Sequence, residues 1–321
     1  MTRYETPTRL GGVREPAGAS SGGRLPDFLI VGACKAGTTT LWMYLREHPS
    51  VHLLEPKEPD FFSKDDLFVK GLDWYRSLFA SAPEHAVCGE ASTTYSRYPH
   101  FGDVPGRIHD ALPDVKLIYM LREPVSRAHS HYCHRMRFAE PCGFAEAIER
   151  DAMFVDCSMY MTQIERFLAR FPRNQLLPVL LDDLKADPAA TLERVQRFLG
   201  LEPRDLTERG EIVSNNRDAG ENEFVRKHLV RKLTRVPGLS AVKSLVPKSL
   251  RDKAIVTASR MTAARKIDGG YQPEALTPEL ARSLAERFEE PNRRLGEFLD
   301  RDLSHWTARW LEPAPAEGGS A

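Results

Sequence analysis

Residues 27–48 read DFLIVGACKAGTTTLWMYLREH, and the fold depends on them. Residues 28–31 form a short apolar run of strand type. Residues 32–37 make a turn bounded by Gly32 and Gly37. From Thr38 onward Leu41, Trp42 and Leu45 fall at helical spacing. Strand, glycine loop and helix N-terminus together make an anion site. The loop N–H groups point inward and the helix dipole adds partial positive charge. Glycine belongs where the backbone turns sharply and comes close to the anion.

A loop that cradles a nucleotide triphosphate reads G-x-x-x-x-G-K-[ST], and its lysine reaches the β and γ phosphates. Here the glycines fit, but Thr38 follows the second one and the lysine lies inside the loop, at Lys35. A lysine there sits beside the first phosphate and the bond that leaves it. That suits a ligand with one phosphate and one transferable group. The pattern strand-G-x-x-K-x-G-T-[ST] resembles the 5′-phosphosulfate loop of sulfotransferases that use 3′-phosphoadenosine 5′-phosphosulfate (PAPS).

The rest of the chain sets bounds on this reading. Its 321 residues suffice for one large or two small domains. Lys+Arg and Asp+Glu are both 45, so no global field marks a nucleic-acid binder and anion attraction must be local. Five cysteines (Cys34, Cys88, Cys133, Cys142, Cys157) form no C-x-x-C pair, and their odd number points to a reducing compartment. Residues 1–25 are polar, lack the apolar segment of a signal peptide and read as a disordered arm. No run approaches the ~20 apolar residues of a membrane span. The expected setting is the cytoplasm.

After a short strand at residues 50–54 comes EPKEPDFF, residues 55–62. Its two prolines make a rigid, non-helical corner that holds Lys57, Glu58 and Asp60 just past a strand end. Open α/β sheets place ligands there. On composition alone a solvated turn carboxylate is the simpler reading. K-E-P-x-F-F, however, resembles the segment after the second strand in heparan-type and related bacterial sulfotransferases. That resemblance implies Glu58 as the base that takes the acceptor's proton. It implies an acceptor contact at Asp60, where relatives often carry histidine. GLDWYRSLF, residues 71–79, reads as a helix whose Trp74 and Tyr75 suit core packing better than a cleft wall. A third strand, residues 86–90, is followed by ASTTYSRY. Relatives have E-[KA]-[ST]-P-x-Y at this point, which implies that Glu90, Ser92, Thr93 and Tyr95 face the same crevice. Glu90 is the rival base.

KLIYML, residues 116–121, is the most strand-like run and suits a buried parallel strand. It leads into LREPVSRAHSHY, where Arg122 and Ser130 span a strand end and the helix after it. A guanidinium fork and a hydroxyl can converge there on phosphate. The segment resembles the family's 3′-phosphate motif, R-[DE]-P-x-x-R-x-x-S-x-Y, and the role of Arg122 and Ser130 as 3′-phosphate ligands comes from that resemblance. The simpler alternative pairs Arg122 with Glu123. His129, His131 and His134 cluster around Cys133, but no second cluster with ligand spacing lies nearby, so a metal is not expected. Residues 138–170 are helical in pattern. The strand at residues 176–181 is followed by Asp182 and Asp183, which a magnesium-dependent kinase would use. Lys35 is misplaced for that chemistry.

Residues 217–266 hold 13 Lys/Arg against 4 Asp/Glu, in a chain that is neutral overall. Such a basic amphipathic segment can lie weakly on an anionic membrane surface. The preferred reading is a lid over an anionic cosubstrate. Lys266 matches the lysine of the family's phosphate-closing loop, although Asp268, Gly269 and Gly270 depart from it. Thr277 and Pro278 open the closing helix, and the resemblance extends to about Trp310. The tail, residues 313–321, reads as disordered.

The expectation is therefore an α/β, P-loop-like three-layer fold over residues 26–312, with a mainly parallel sheet of about five strands flanked by helices. The resemblance implies a PAPS-dependent sulfotransferase with Glu58 and Lys35 as catalytic groups. Lys35, Ala36, Gly37, Thr38, Thr39, Arg122, Ser130 and Lys266 would bind the cosubstrate, with no metal. Asp60, Glu90, Ser92 and Tyr95 would meet a small-molecule, lipid or oligosaccharide acceptor. A Mg-ATP kinase and a non-catalytic nucleotide or membrane-surface module are the alternatives.

Overall fold

The computed structural model describes residues 23–137, 140–207 and 273–311. The basic segment 217–266 with Lys266, most of the N-terminal arm and the tail 313–321 lie outside the described residues.

Five strands form one sheet: β1 (Phe28–Gly32), β2 (Val51–Leu53), β3 (Val87–Ala91), β4 (Lys116–Leu121) and β5 (Leu176–Leu180). All pair in parallel in the order β2-β3-β1-β4-β5. Every residue of β1 is buried, and so are all but the first of β4. That is the signature of strands covered on both faces, and it explains their unbroken apolar sequence. The strand order reverses between β1 and β4. Outside their carboxyl ends lies the topological switch point, where such sheets bind ligands.

The helices follow from local signals. α1 (Thr38–Arg46) leaves the glycine loop. α2 (Asp65–Phe68) and α3 (Gly71–Ser77) follow the proline corner, and α4 (Val104–Ala111) is capped by Asp103. α5 (Pro124–Arg135) starts on Glu123, whose carboxylate accepts from Val125 N (2.7 Å) and Ser126 N (2.8 Å). Glu123 is thus a helix cap, not the ion-pair partner of Arg122. The helical pattern of residues 138–170 resolves into α6 (Phe144–Arg150), α7 (Met153–Asp156) and α8 (Tyr160–Leu168). The breaks have a physical cause. Asp151 accepts from Met153 N (3.0 Å) at the first, and the buried Arg127 guanidinium draws Phe154 O and Ser158 Oγ inward at the second. α9 (Leu181–Ala186) and α10 (Pro188–Leu199) follow β5, with Gly200 ending α10 at φ 80°. α11 (Pro278–Leu299), capped by Thr277, and α12 (Ser304–Leu311) close the fold.

The main core runs through the sheet and includes Phe61, Phe62, Tyr75 and Trp306. A second core joins α5, α6, α7 and α11 through Val125, Tyr132, Phe144, Phe154, Leu284 and Phe288. It holds α5 against the sheet edge that carries the site.

Candidate active site

The loop after β1 is shaped by two glycines that cannot be replaced. Gly32 has φ 146°, and a Cβ there would lie 2.0 Å from Ser96 Oγ. Gly37 has φ 90°, caps α1, and a Cβ there would lie 2.6 Å from Leu181 Cδ1. Between them Lys35 is itself left-handed, at φ 68°. Such strain in a non-glycine residue persists only where the surroundings impose it. Two arginines impose it here. Arg127, fully buried, donates from Nη1 to Cys34 O (3.2 Å) and from Nε to Ser158 Oγ (2.6 Å). Arg122 donates from Nη1 to Lys35 O (3.1 Å), while Tyr160 holds its backbone carbonyl at 2.6 Å. These bonds take the Cys34 and Lys35 carbonyls, while Ala33 N donates to Met120 O (2.8 Å) and Ala36 N to Ala33 O (3.1 Å). Thr38 is buried and Thr39 exposed at the helix start. Burial holds Lys35 below its ordinary value of 10.5, and Arg137 and Arg122 act in the same direction against Cys34.

The second half of the site is the turn after β2. Glu58 and Asp60 both adopt positive φ, 60° and 55°. Glu58 N donates to Ala91 O (2.9 Å) and Asp60 N to Ser92 Oγ (3.0 Å), so the turn is fastened to the end of β3. Lys57 is buried and reaches Thr39 Oγ1 at 3.0 Å, which ties this turn to the phosphate loop. Thr93 Oγ1 donates to Glu58 Oε1 at 3.4 Å, and Arg97 Nη2 donates to Thr93 Oγ1 at 2.9 Å. Phe61 stacks on Tyr75, ring centroids 4.5 Å apart, and anchors the corner from below.

Under this turn lies a buried polar network. Glu90 has no exposed surface and accepts from Tyr75 OH (3.0 Å), Tyr95 OH (2.6 Å) and Ser92 Oγ (2.8 Å). Burial pushes its carboxyl up to about 7, against the three hydroxyl donors and with the nearby Asp60 charge. Asp60 is buried as well. It accepts from Thr94 Oγ1 (2.8 Å) and pairs with Lys64. Sequence reasoning set Asp60, Glu90, Ser92 and Tyr95 on the acceptor side of the crevice. The structure places all four beneath it, bonded to one another and to the turn, because a short strand end surrounded by aromatic rings leaves no water to satisfy them.

Ser130 is half-buried on α5, the helix that begins two residues after Arg122. His131 is buried, and burial and then Arg127 keep it well below its ordinary value. His134 is lowered to about 4, first by burial and then by Lys35, so it is a neutral imidazole close to both Lys35 and Glu58. Asp182 accepts from Trp306 Nε1 (2.9 Å), and Asp183 takes both guanidinium nitrogens of Arg301 (3.0 and 3.1 Å). The two carboxylates that a magnesium site would use are thus engaged in packing the closing helices. Among the described residues no group of three or more His, Cys, Asp or Glu is placed to hold a metal ion, and no helix is long and apolar enough to cross a membrane. A groove of about 660 Å³ between α11 and α12 contains none of the residues above.

Two residues escaped the sequence reading, Arg127 as a loop anchor and Arg97 beside Glu58; Thr93, expected to face the crevice, contacts both Arg97 and Glu58. Arg127 is the second arginine of the R-x-x-x-x-R spacing after β4, a signal that shows position but not what the side chain bonds. No motif marks Arg97, whose partners are Thr93, four residues before it, and Met153 on α7.

Comparison with known proteins bears on this geometry. A family model described as a sulfotransferase domain matches residues 25–291. Human bifunctional heparan sulfate N-deacetylase/N-sulfotransferase 3 is 33% identical over 200 residues, covering 56% of this chain and 23% of the relative. Mouse heparan sulfate glucosamine 3-O-sulfotransferase 3A1 is 35% identical over 188 residues, covering 56% of this chain and 46% of the relative. The chain therefore spans less than half the length of either. A crystal structure of a sulfotransferase from Alicyclobacillus acidocaldarius aligns over 88% of this chain and 99% of its own, with a TM-score of 0.61 and 24% identity, a likeness of fold.

Proposed function

The chain belongs to the sulfotransferase domain family, and from that premise we propose that it moves a sulfuryl group from PAPS to an acceptor hydroxyl or amine. The observation that carries this reading is the meeting of two distant segments at the switch point. The Lys35 loop and Arg122, 87 positions apart, join there through the 3.1 Å bond from the guanidinium to the Lys35 carbonyl.

The donor set fits a 3′,5′-bisphosphate with one transferable group. The N–H groups of Ala36, Gly37, Thr38 and Thr39 and the two threonine hydroxyls would hold the 5′-phosphate. Arg122 and Ser130 would hold the 3′-phosphate. Lys266, outside the described residues, is kept as a further phosphate ligand. The cosubstrate supplies the activated sulfuryl group. Lys35 would neutralise the charge that builds on the leaving phosphate oxygen, a stabilisation larger in the transition state than before it. Glu58 would accept the proton of the attacking hydroxyl or amine, which requires it within ~3 Å of that group. Glu90, its rival, is sealed under the turn with both oxygens engaged and serves as a support. The names of the relatives favour an oligosaccharide acceptor; small-molecule and lipid acceptors belong to the same proposal. The five free thiols fit a reducing, cytoplasmic setting.

The test is transfer of labelled sulfate from PAPS to a panel that includes desulfated heparan oligosaccharides, phenols and lipid alcohols. Transfer by the wild type that falls at least about a hundredfold in Lys35→Ala is the expected result. Near-normal transfer in that variant would remove the mechanism.

A further inference from the structure

Thr93 and Arg97 lie beside Glu58 in an arrangement that support of the fold alone does not require. Thr93 is 4% exposed and sits two residues past the end of β3. Arg97 grips it twice, from Nε to Thr93 O (3.1 Å) and from Nη2 to Thr93 Oγ1 (2.9 Å). The guanidinium is anchored at its other end by Met153 Sδ on α7, at 3.8 Å from Nη1. Because Arg97 fills an acceptor position on the threonine oxygen, the hydroxyl hydrogen is left to point elsewhere. It points at Glu58 Oε1, 3.4 Å away. The contact is long, as hydrogen bonds to catalytic groups often are without substrate. The direction of donation is fixed all the same: a cation donates to a hydroxyl, and the hydroxyl donates to a carboxylate.

We propose that Arg97, acting through the Thr93 hydroxyl, is a positioning residue for the Glu58 carboxylate. The relay aims the Glu58 carboxylate and favours its ionised form, the form that takes the acceptor's proton. The backbone at Glu58 adds to the need for such a clamp, since φ 60° in a glutamate is a conformation the surroundings must hold. This proposal rests on Glu58 being the base.

Several groups face Glu58. Arg97 and Thr93 come from the segment after β3, and His134 from α5 lies near enough to sense the Glu58 charge. Lys57 and Asp60 share its turn, and Asp60 also acts on Arg97. His134 is neutral at working pH. Among these described groups, Arg97 reaches Glu58 through a directed hydrogen-bond relay by way of the Thr93 hydroxyl.

The test is a ¹³C carboxyl NMR titration of Glu58, its resonance identified by its absence in Glu58→Gln. The series comprises wild type, Thr93→Val, Thr93→Ser, Arg97→Gln and Arg97→Lys. Loss of the relay in Thr93→Val and Arg97→Gln should raise the Glu58 midpoint by about one pH unit, in line with removal of a close cation or donor. Thr93→Ser keeps the hydroxyl and should stay near the wild-type midpoint, and Arg97→Lys should fall between. If either relay-breaking variant fails to fold, the other still decides. A wild-type midpoint in Thr93→Val, or a shift of equal size in Thr93→Ser, would overturn the proposal. Labelled sulfuryl transfer by Glu58→Gln separates the premise: unchanged transfer there would remove Glu58 as base while leaving the titration to judge the relay.

Discussion

Lys35 is an ammonium held in a strained backbone, φ 68°, with its own carbonyl bonded to Arg122 and that of Cys34 bonded to Arg127. Burial disfavours its charge, and the Arg137 and Arg122 guanidiniums act in the same direction against Cys34, so Lys35 lies below the ordinary lysine value of 10.5. A role that needs the protonated ammonium then has a consequence for pH. Turnover should begin to fall on the alkaline side before the ordinary lysine range is reached, and a pH–rate profile with PAPS checks it. A profile flat through pH 10.5 would contradict the role. Glu90 carries the opposite sign. Its carboxyl stays protonated in the fold up to about 7, whereas in the unfolded chain it ionises near 4.5. The folded form therefore binds the extra proton between those values, and stability from this group falls as pH rises from 4.5 to about 7. At 1.36 kcal/mol per unit the loss is on the order of 3 kcal/mol. Glu90→Gln keeps oxygen acceptors for Tyr75 and Tyr95 and should flatten that slope, read as the urea midpoint at pH 5 and pH 8 in both proteins. The same slope in the variant would mean that another group causes it.

At the scale of elements, the site is two turns tied to three strand ends. The loop after β1 and the corner after β2 meet through Lys57 and Thr39, and the corner is bolted to β3 through Ala91 O and Ser92 Oγ. Phe61 carries this corner, packed against Phe62, Phe68, Trp74 and Tyr75 with no exposed surface. Phe61→Ala should cost about 3–5 kcal/mol by large-to-small truncation in a packed core. It should lower transfer beyond the folded fraction, because Glu58 loses its rigid base; denaturant melts and transfer rates on the same sample measure both. These elements were largely legible in the sequence. The strand, glycine loop and helix at residues 27–48, and the proline corner at residues 55–62, are local patterns of short period, and local patterns are what a sequence displays. The run at residues 138–170 is helical in apolar spacing throughout, which does not show where it breaks. Its second break is set by Arg127, a partner in another element that no local pattern encodes, and its first by the short-range bond of Met153 N to Asp151.

At the scale of the whole molecule, the order β2-β3-β1-β4-β5 brings Lys35, Glu58 and Arg122 to one sheet edge from three separate stretches of chain. The motifs at Lys35, Glu58 and Arg122 could each be found in the sequence, because each sits at a strand's carboxyl end. The depth of a side chain could not. Asp60 and Tyr95 lie within two residues of half-buried positions, Glu90 and Ser92 sit in a fully buried run, residues 88–96, and the packing of α3 and its rings against β3 helps to cover them. The central claim is that this edge is built for a 3′,5′-bisphosphate rather than a metal-bound triphosphate. The measurement that tests it most directly is calorimetric binding of 3′-phosphoadenosine 5′-phosphate to wild type and to Arg122→Ala, set against ATP with magnesium. Metal-independent binding of the bisphosphate, weakened at least about tenfold in the variant by loss of a bidentate charged contact, is the expected result. Preference for magnesium ATP, or bisphosphate binding untouched by Arg122→Ala, would contradict it.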